Sequence, residues 1–316
     1  MKALVAFCIC TCVVLAQGGG AVVGAGYNLV APVAVAPGHV ITIYVTGVGN
    51  VTKKVSAGNP PLPTKLGGIS AALLQGGVTT PAPIFAVFPF NACTGVAQAP
   101  CGSITGVTLQ IPFELHVHIP GTLSPEVLAY LQVSDDAGHT ASALLDAKLD
   151  QIHVLHMQDT VLAGELAQQP GPDSAAVTHL NGKLVTAANP AHGGEKLVMY
   201  AVGLGAANPP VKSGAASPTP AAVTGVGLSY YPFPNMPPWP GFNVIRQIPP
   251  LPEPVPSFVG LTPGFVGLYQ VNFVLPPSGA GLVPCDESLG VFSNLTVTLI
   301  GHGSFDGAAI CVAAIP

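Results

Sequence analysis

Apolar residues recur along this chain in short runs, and glycine, proline, asparagine or aspartate interrupts each one. Val40-Ile41-Thr42-Ile43-Tyr44-Val45-Thr46 is such a run, bracketed by Pro37-Gly38 and Gly47-Val48-Gly49. Val107-Thr108-Leu109-Gln110-Ile111-Pro112 and Val271-Asn272-Phe273-Val274-Leu275-Pro276 are two more. β-Branched residues suit a pleated surface and Gly or Pro punctuates it, so each run reads as a short strand between tight turns. Helical periodicity is nearly absent. Only Ala141 to Gln151 admits a helical reading, and a final strand continuing through Ile152-His153-Val154-Leu155 fits it better. The pattern predicts an all-β fold.

The runs occur twice. Pro37 to Gly49 lies over His192 to Gly205, with Tyr44 and Tyr200 in register and a Gly-x-Gly turn closing each. Pro61 to Ser70 then matches Pro218 to Gly227, Val107 to Pro112 matches Val271 to Pro276, and Val127 to Val133 matches Leu295 to Ile300. A copy of this size, built of short strands at turn-bounded intervals, has the dimensions of an immunoglobulin-like sandwich. The expectation is two tandem immunoglobulin-like β-sandwich domains, 17–155 and 187–316, joined by a β-hairpin connector within 156–186. In that connector Asn181-Gly182 stands between β-prone runs, the strongest short signal for a hairpin.

Composition adds the compartment. Met1-Lys2, an apolar run from Ala3 to Ala16 and then Gln17-Gly18-Gly19-Gly20 have the form of a secretory signal peptide over 1–16. The run is short of the roughly 20 residues a membrane span needs, so no transmembrane segment is expected after cleavage. Cys8, Cys10 and Cys12 fall inside it and lack the small-residue motif of a lipoprotein. Four cysteines remain, Cys93, Cys101, Cys285 and Cys311. An even count in an exported chain reads as disulfides, and the local pairing Cys93–Cys101 with Cys285–Cys311 keeps each bridge inside one copy. Zinc is the alternative, but no Cys-x-x-Cys pair is present.

Charge is sparse. Charged residues make up 7% of the chain, against roughly 25% in an ordinary globular protein. With a net charge of −5 and the single arginine Arg246, phosphate-driven binding of nucleic acid is excluded. Few surface charges also weaken the repulsion that keeps proteins apart.

Some of these segments also carry a family resemblance. Gly260 to Asn272 (Gly-Leu-Thr-Pro-Gly-Phe-Val-Gly-Leu-Tyr-Gln-Val-Asn), Val185 to Ala191, Tyr200 to Gly205 and Ser293 to Val297 resemble the uncharacterised C-terminal domain of secreted acidobacterial (Solibacter-type) proteins. Pro61 to Ser70 and Gln110 to Phe113 resemble its N-terminal half. The resemblance implies secretion and tandem Ig/TIG-like modules and carries no functional residue. The chain departs from the family pattern in the enlarged segment before Gly260 and in the cysteine-closed loop from Val87 to Cys101.

Candidate chemistry is thin. His116 and His118, two apart in an expected strand, would project from one face as a metal pair does, but no acidic or cysteine ligand at a telling spacing completes a site. His153 and His156 would fall on opposite faces of a regular strand. His302-Gly303-Ser304-Phe305-Asp306 holds the residue types of a triad, but contiguously, and reads as a surface turn. Asp135-Asp136-Ala137-Gly138 reads as a hairpin turn with too few oxygens for a calcium shell. Glu114, Glu126, Asp135 and Asp136 are the carboxylates a hydrolase would have to use. The Gly-x-Gly turns are followed by no helix and so form no phosphate loop.

The most suggestive segment is the proline-rich stretch 230–256, which carries Tyr230, Tyr231, Phe233, Trp239, Phe242 and Arg246. Aromatics on stiff extended backbone can present a preorganised contact surface or a platform for sugar rings. The competing reading is that this stretch folds back over its own sandwich. No cofactor is expected. The expected role is a non-enzymatic extracellular or cell-surface protein of adhesion, binding or assembly. Its partner would be an extracellular polymer or protein, or another copy joined through edge strands. A carbohydrate-binding module using the aromatic stretch is the alternative, and a secreted hydrolase is a third.

Overall fold

Every regular element in the described residues is a strand, as the pattern of short β-prone runs requires. The computed structural model describes residues 20–25, 32–90, 104–118, 127–157, 159, 175–230, 254–277, 295–299 and 305–313. In the N-terminal half one sheet runs β1 (Ala21–Ala25), β3 (Val40–Thr46), β9 (Ile104–Gln110), β8 (Ile84–Phe90), β4 (Val55–Ser56). A second sheet runs β2 (Val33–Val35), β11 (Thr140–Ala147), β10 (Ala129–Asp135), β6 (Ile69–Gln75), β5 (Lys65–Leu66), with β7 (Val78–Pro81) also on β6. Both contribute to one core: Ile43, Val45, Val107 and Leu109 from the first sheet and Ile69, Leu73, Leu131 and Val133 from the second are buried together.

The C-terminal half also holds two sheets around a core. One sheet runs β12 (His153–Val154), β14 (Lys196–Val202), β18 (Tyr269–Val274), β17 (Phe258–Leu261), β15 (Ala221–Ala222), with β13 (Val177–His179) also on β14. The other runs β16 (Val226–Tyr230), β19 (Leu295–Leu299), β20 (Phe305–Ala308). Leu197, Met199, Val271 and Phe273 share a core with Leu228, Leu295, Val297 and Ala308. Pairings between strands are antiparallel throughout, apart from β2 on β11.

The strand registers follow the two runs of sequence residue by residue. Ile43 lies opposite Val107 and Thr42 opposite Thr108. Their counterparts pair in the same way, Met199 opposite Val271 and Val198 opposite Asn272. The turns agree too. Gly47 and Gly49 have φ of 70° and 72°, and Gly203 and Gly205 have 77° and 82°.

Glycine is needed at Gly203 for a second reason, because a Cβ there would run into the carbonyl oxygen of Gln151 and lie 3.2 Å from His39. Gly203→Ala is therefore expected to lower stability by at least about 2 kcal/mol in a urea titration. Gly138→Ala makes the control, having φ of 87° but no atom within 4 Å of the new methyl, and should cost only about 1 kcal/mol.

Several expectations change at the middle of the chain. The strand expected to run on to Leu155 ends at Ala147, and His153–Val154 is a separate strand paired with Val202 and Ala201. Its neighbour Ile152 is buried with the C-terminal core, so apolar burial draws 152–154 away from the first half. The Asn181-Gly182 turn forms as expected: Gly182 has φ of 79° and the His179 N–H donates to Lys183 O. Its first arm, β13, is nevertheless bonded to β14, making this part of the connector a strand of the second half. Phe305 and Asp306, expected within a surface turn, open the strand Phe305–Ala308 paired with β19.

Candidate functional site

The acidic hairpin turn is the simplest of the polar clusters to read. Asp135 ends β10 and accepts four hydrogen bonds, from the N–H groups of Gly49, Ala137 and His139 and from the His139 ring. The Gly49 N–H first and the His139 ring next hold its carboxyl well below the usual carboxylate range. Asp136 is paired with Lys65. The recess around them, about 450 Å³ and lined by Gly47, Gly49, Gly68, Asp136 and His139, therefore presents carboxylates already engaged by the protein. This is a turn cap joining the two sheets, and a cation would have to displace four donors to use Asp135. Millimolar calcium is accordingly expected to leave the melting temperature unchanged.

A second cluster closes the edge of the C-terminal sandwich. The Nδ1 of His153 lies 3.1 Å from Asp306 and its Nε2 lies 3.0 Å from Asp159. Both neighbours are acceptors, so both ring nitrogens must carry hydrogen and the ring is an imidazolium. Burial opposes that charge most strongly. The bonds to Asp159 and Asp306 outweigh it and raise the pKa to about 9. The same two carboxylates accept from the N–H groups of Val154 and His156. One cation thus ties β12, on the edge of one sheet, to β20 in the other. Both ring nitrogens are committed, so His153 holds no lone pair for general-base work.

Next to this clasp lies His39, at the turn before β3. It is 6% exposed and its Nδ1 has no hydrogen-bond partner. Burial, and then the charge on His153, lower its pKa to about 3, so it stays neutral beside an imidazolium. His179 repeats the logic of His153 at the start of the Asn-Gly turn. Its Nδ1 meets Glu195 at 2.5 Å and its Nε2 meets Asn189 O at 3.2 Å, and the bond to Glu195 raises its pKa.

His39 and His153 lie beside the seam between the halves, His39 against Gly203 and His153 opposite Val202. Val40 is buried with Leu155, Ala176 and Val202, and Phe85, Tyr200 and Leu268 pack against them. Polar bonds cross the same seam. Gln110, with no exposed surface, accepts across it from the Gly214 N–H at 2.7 Å and donates within its own half to Gly38 O at 3.5 Å. The Leu62 N–H donates to Gly214 O, the Phe113 N–H to the Ser213 hydroxyl, and that hydroxyl to Glu114. A segment so satisfied on both sides holds one orientation, because any slip strands buried donors.

The sequence candidates land differently. His116 and His118 follow β9 in non-strand backbone, where the Gln75 side chain bonds both the N–H and the carbonyl of His116. They do not form a strand-borne pair. His153 and His156, expected on opposite faces, have rings 6.3 Å apart. Among the described residues no three His, Cys, Asp or Glu are grouped to hold a metal.

Tyr230 is 5% exposed in the C-terminal core, its hydroxyl without a partner and its pKa pushed up to about 12 by burial. It is a core residue rather than part of a contact surface, because β16 turns its ring toward Leu295 and the residues behind it. Tyr231, Phe233, Trp239, Phe242 and Arg246 lie outside the described residues, as do Cys93, Cys101, Cys285, Glu126, His302 and Ser304. Sequence reasoning missed His39, Asp159, Gln110 and Ser213. Only Gln110 left a trace, as a polar residue where the second copy has Val274.

Compared with known proteins, the chain matches no family model and no curated protein.

Proposed function

We propose that this chain is a non-enzymatic exported protein of adhesion, binding or assembly type, made of two immunoglobulin-like modules held in one fixed orientation. The observation that carries this reading is the seam, where an apolar cluster and the buried bond between Gln110 and Gly214 hold one half against the other. A rigid tandem of sandwiches spans distance and presents faces, which suits a structural or adhesive part. The modular reading is supported by the repeated strand order, the matching registers and the parallel β2 on β11 at the sheet edge. The resemblance to secreted acidobacterial (Solibacter-type) domains points the same way.

Export through cleavage after Ala16 belongs to the proposal, as do the bridges Cys93–Cys101 and Cys285–Cys311. Cys311 is not a free thiol, in keeping with the second bridge. Among the described residues no helix is long and apolar enough to cross a membrane. Imaging the native extracellular fraction with an antibody to this chain tests the reading: label on filaments, an envelope or a matrix supports it. A purely soluble, dispersed protein that turns over substrates in a broad hydrolase screen would overturn it.

A further inference from the structure

We propose that the outer face of the β11–β10–β6 sheet binds the same face of a second copy of this chain, about a two-fold axis at Tyr130. The proposal rests on the assembly reading above and goes beyond it by naming the surface and the partner.

Alternation along β10 turns Ala129, Leu131 and Val133 into the core and Tyr130, Gln132 and Ser134 outward. Tyr130 is 40% exposed and the preceding outward residue, Leu128, is 60% exposed. Register places Leu144 of β11 on one side of Tyr130 and Leu74 of β6 on the other. The row therefore reads Leu–Tyr–Leu across three strands. A two-fold axis through Tyr130 lays Leu74 of one copy over Leu144 of the other and ring against ring. An isologous interface needs such self-complementarity, because every group must meet its own symmetry mate's surroundings.

The next row, Ala72–Gln132–Ser142, has small side chains at both ends and an uncharged amide at the centre. Charge supports the same occupant. The rows centred on Tyr130, Gln132 and Ser134 carry no formal charge, and Asp146 at the margin is already paired with Lys148 at 3.0 Å. An uncharged surface repels no copy of itself and selects neither a cationic nor an anionic partner.

The face is small. Three strands about 4.8 Å apart, over six residues of about 3.4 Å each, offer roughly 300 Å². That is well under half of the roughly 800 Å² that a standard interface buries on each partner. Association should accordingly be weak, in roughly the micromolar to millimolar range, and should strengthen where many copies are held together.

Sedimentation velocity of the purified protein over that concentration range is the test, with folding of each variant checked by its melting curve. The wild type is expected to pass from monomer to dimer. Tyr130→Arg, which sets two cations face to face on the axis, should weaken the dimer at least about tenfold, and Gln132→Arg should do so independently. Tyr130→Phe should dimerise like the wild type.

A wild type that associates as strongly with both arginine substitutions as without them overturns this face and leaves the assembly reading standing. A wild type that stays monomeric throughout also overturns it, and if the native fraction shows no assemblies the broader reading falls with it. A monomer that binds an insoluble neutral polysaccharide, and loses that binding with Tyr130→Arg, assigns the face to a polymer and overturns the dimer.

Discussion

Stability should trace a bell against pH with its top near pH 6.5, and two neighbouring histidines should account for its two limbs. On the alkaline side the group is His153, whose folded pKa of about 9 stands above the ordinary 6.5. Its contribution is fully present below pH 6.5, where folded and unfolded chains are both protonated. It is lost as pH rises to about 9, because the unfolded chain has already given up its proton. The loss is roughly 3 kcal/mol. His179 adds to the same limb, since its pKa is raised too.

On the acid side the group is His39, whose folded pKa is lowered from 6.5 to about 3 by burial and then by His153. Below pH 6.5 the unfolded chain takes up a proton that the folded chain refuses, so stability falls as pH drops toward 3. Urea midpoints measured from pH 4 to pH 10 would show the bell. His153→Gln should flatten the alkaline limb and His39→Phe the acid one. Identical profiles for the wild type and both variants would remove the electrostatic account of the clasp.

Gln110→Ala is expected to be the most damaging single polar change. It leaves the Gly214 N–H buried without an acceptor and opens a void in a place with no exposed surface. An unsatisfied buried donor costs about 1–3 kcal/mol, and the cavity adds to it, for a total of about 2–4 kcal/mol. Gln110→Met fills most of the space without restoring the bonds, so it should recover the cavity share alone. The damage should be directional as well as energetic. Releasing Gly214 frees one half to move on the other, so proteolytic cleavage in the Lys212–Ala215 turn should quicken by an order of magnitude.

Much of the framework could be read from the residues because it depends on local rules. Val40 to Thr46 is strand since its branched side chains alternate between turn formers, and Gly47, Gly49, Gly182 and Gly203 take the positive φ that their turns demand. The pairings of β3 with β9 and of β14 with β18 are no part of what the sequence predicts; only the folded registers show that the matched runs pair alike.

The polar clusters obey no local rule. His153 and Asp306 are 153 positions apart, and only closure of the C-terminal sandwich brings them together. His39 looks like an ordinary turn histidine until the second half buries it. The aromatic neighbours of Tyr230 in sequence point to a contact residue, but strand alternation in β16 decides its direction. The end of β11 at Ala147 was equally hidden: nothing local tells a continuing strand from one that crosses to another sheet.

The Gln110 seam is expected to hold the two halves as one body. Spin labels placed through Thr52→Cys and Lys196→Cys, on exposed positions of opposite halves, allow the distance between them to be measured in frozen solution by pulsed electron resonance. One narrow distance distribution is predicted, and it should broaden when Gln110→Ala is added. A broad or multiple distribution with Gln110 in place would mean that the seam does not fix the halves.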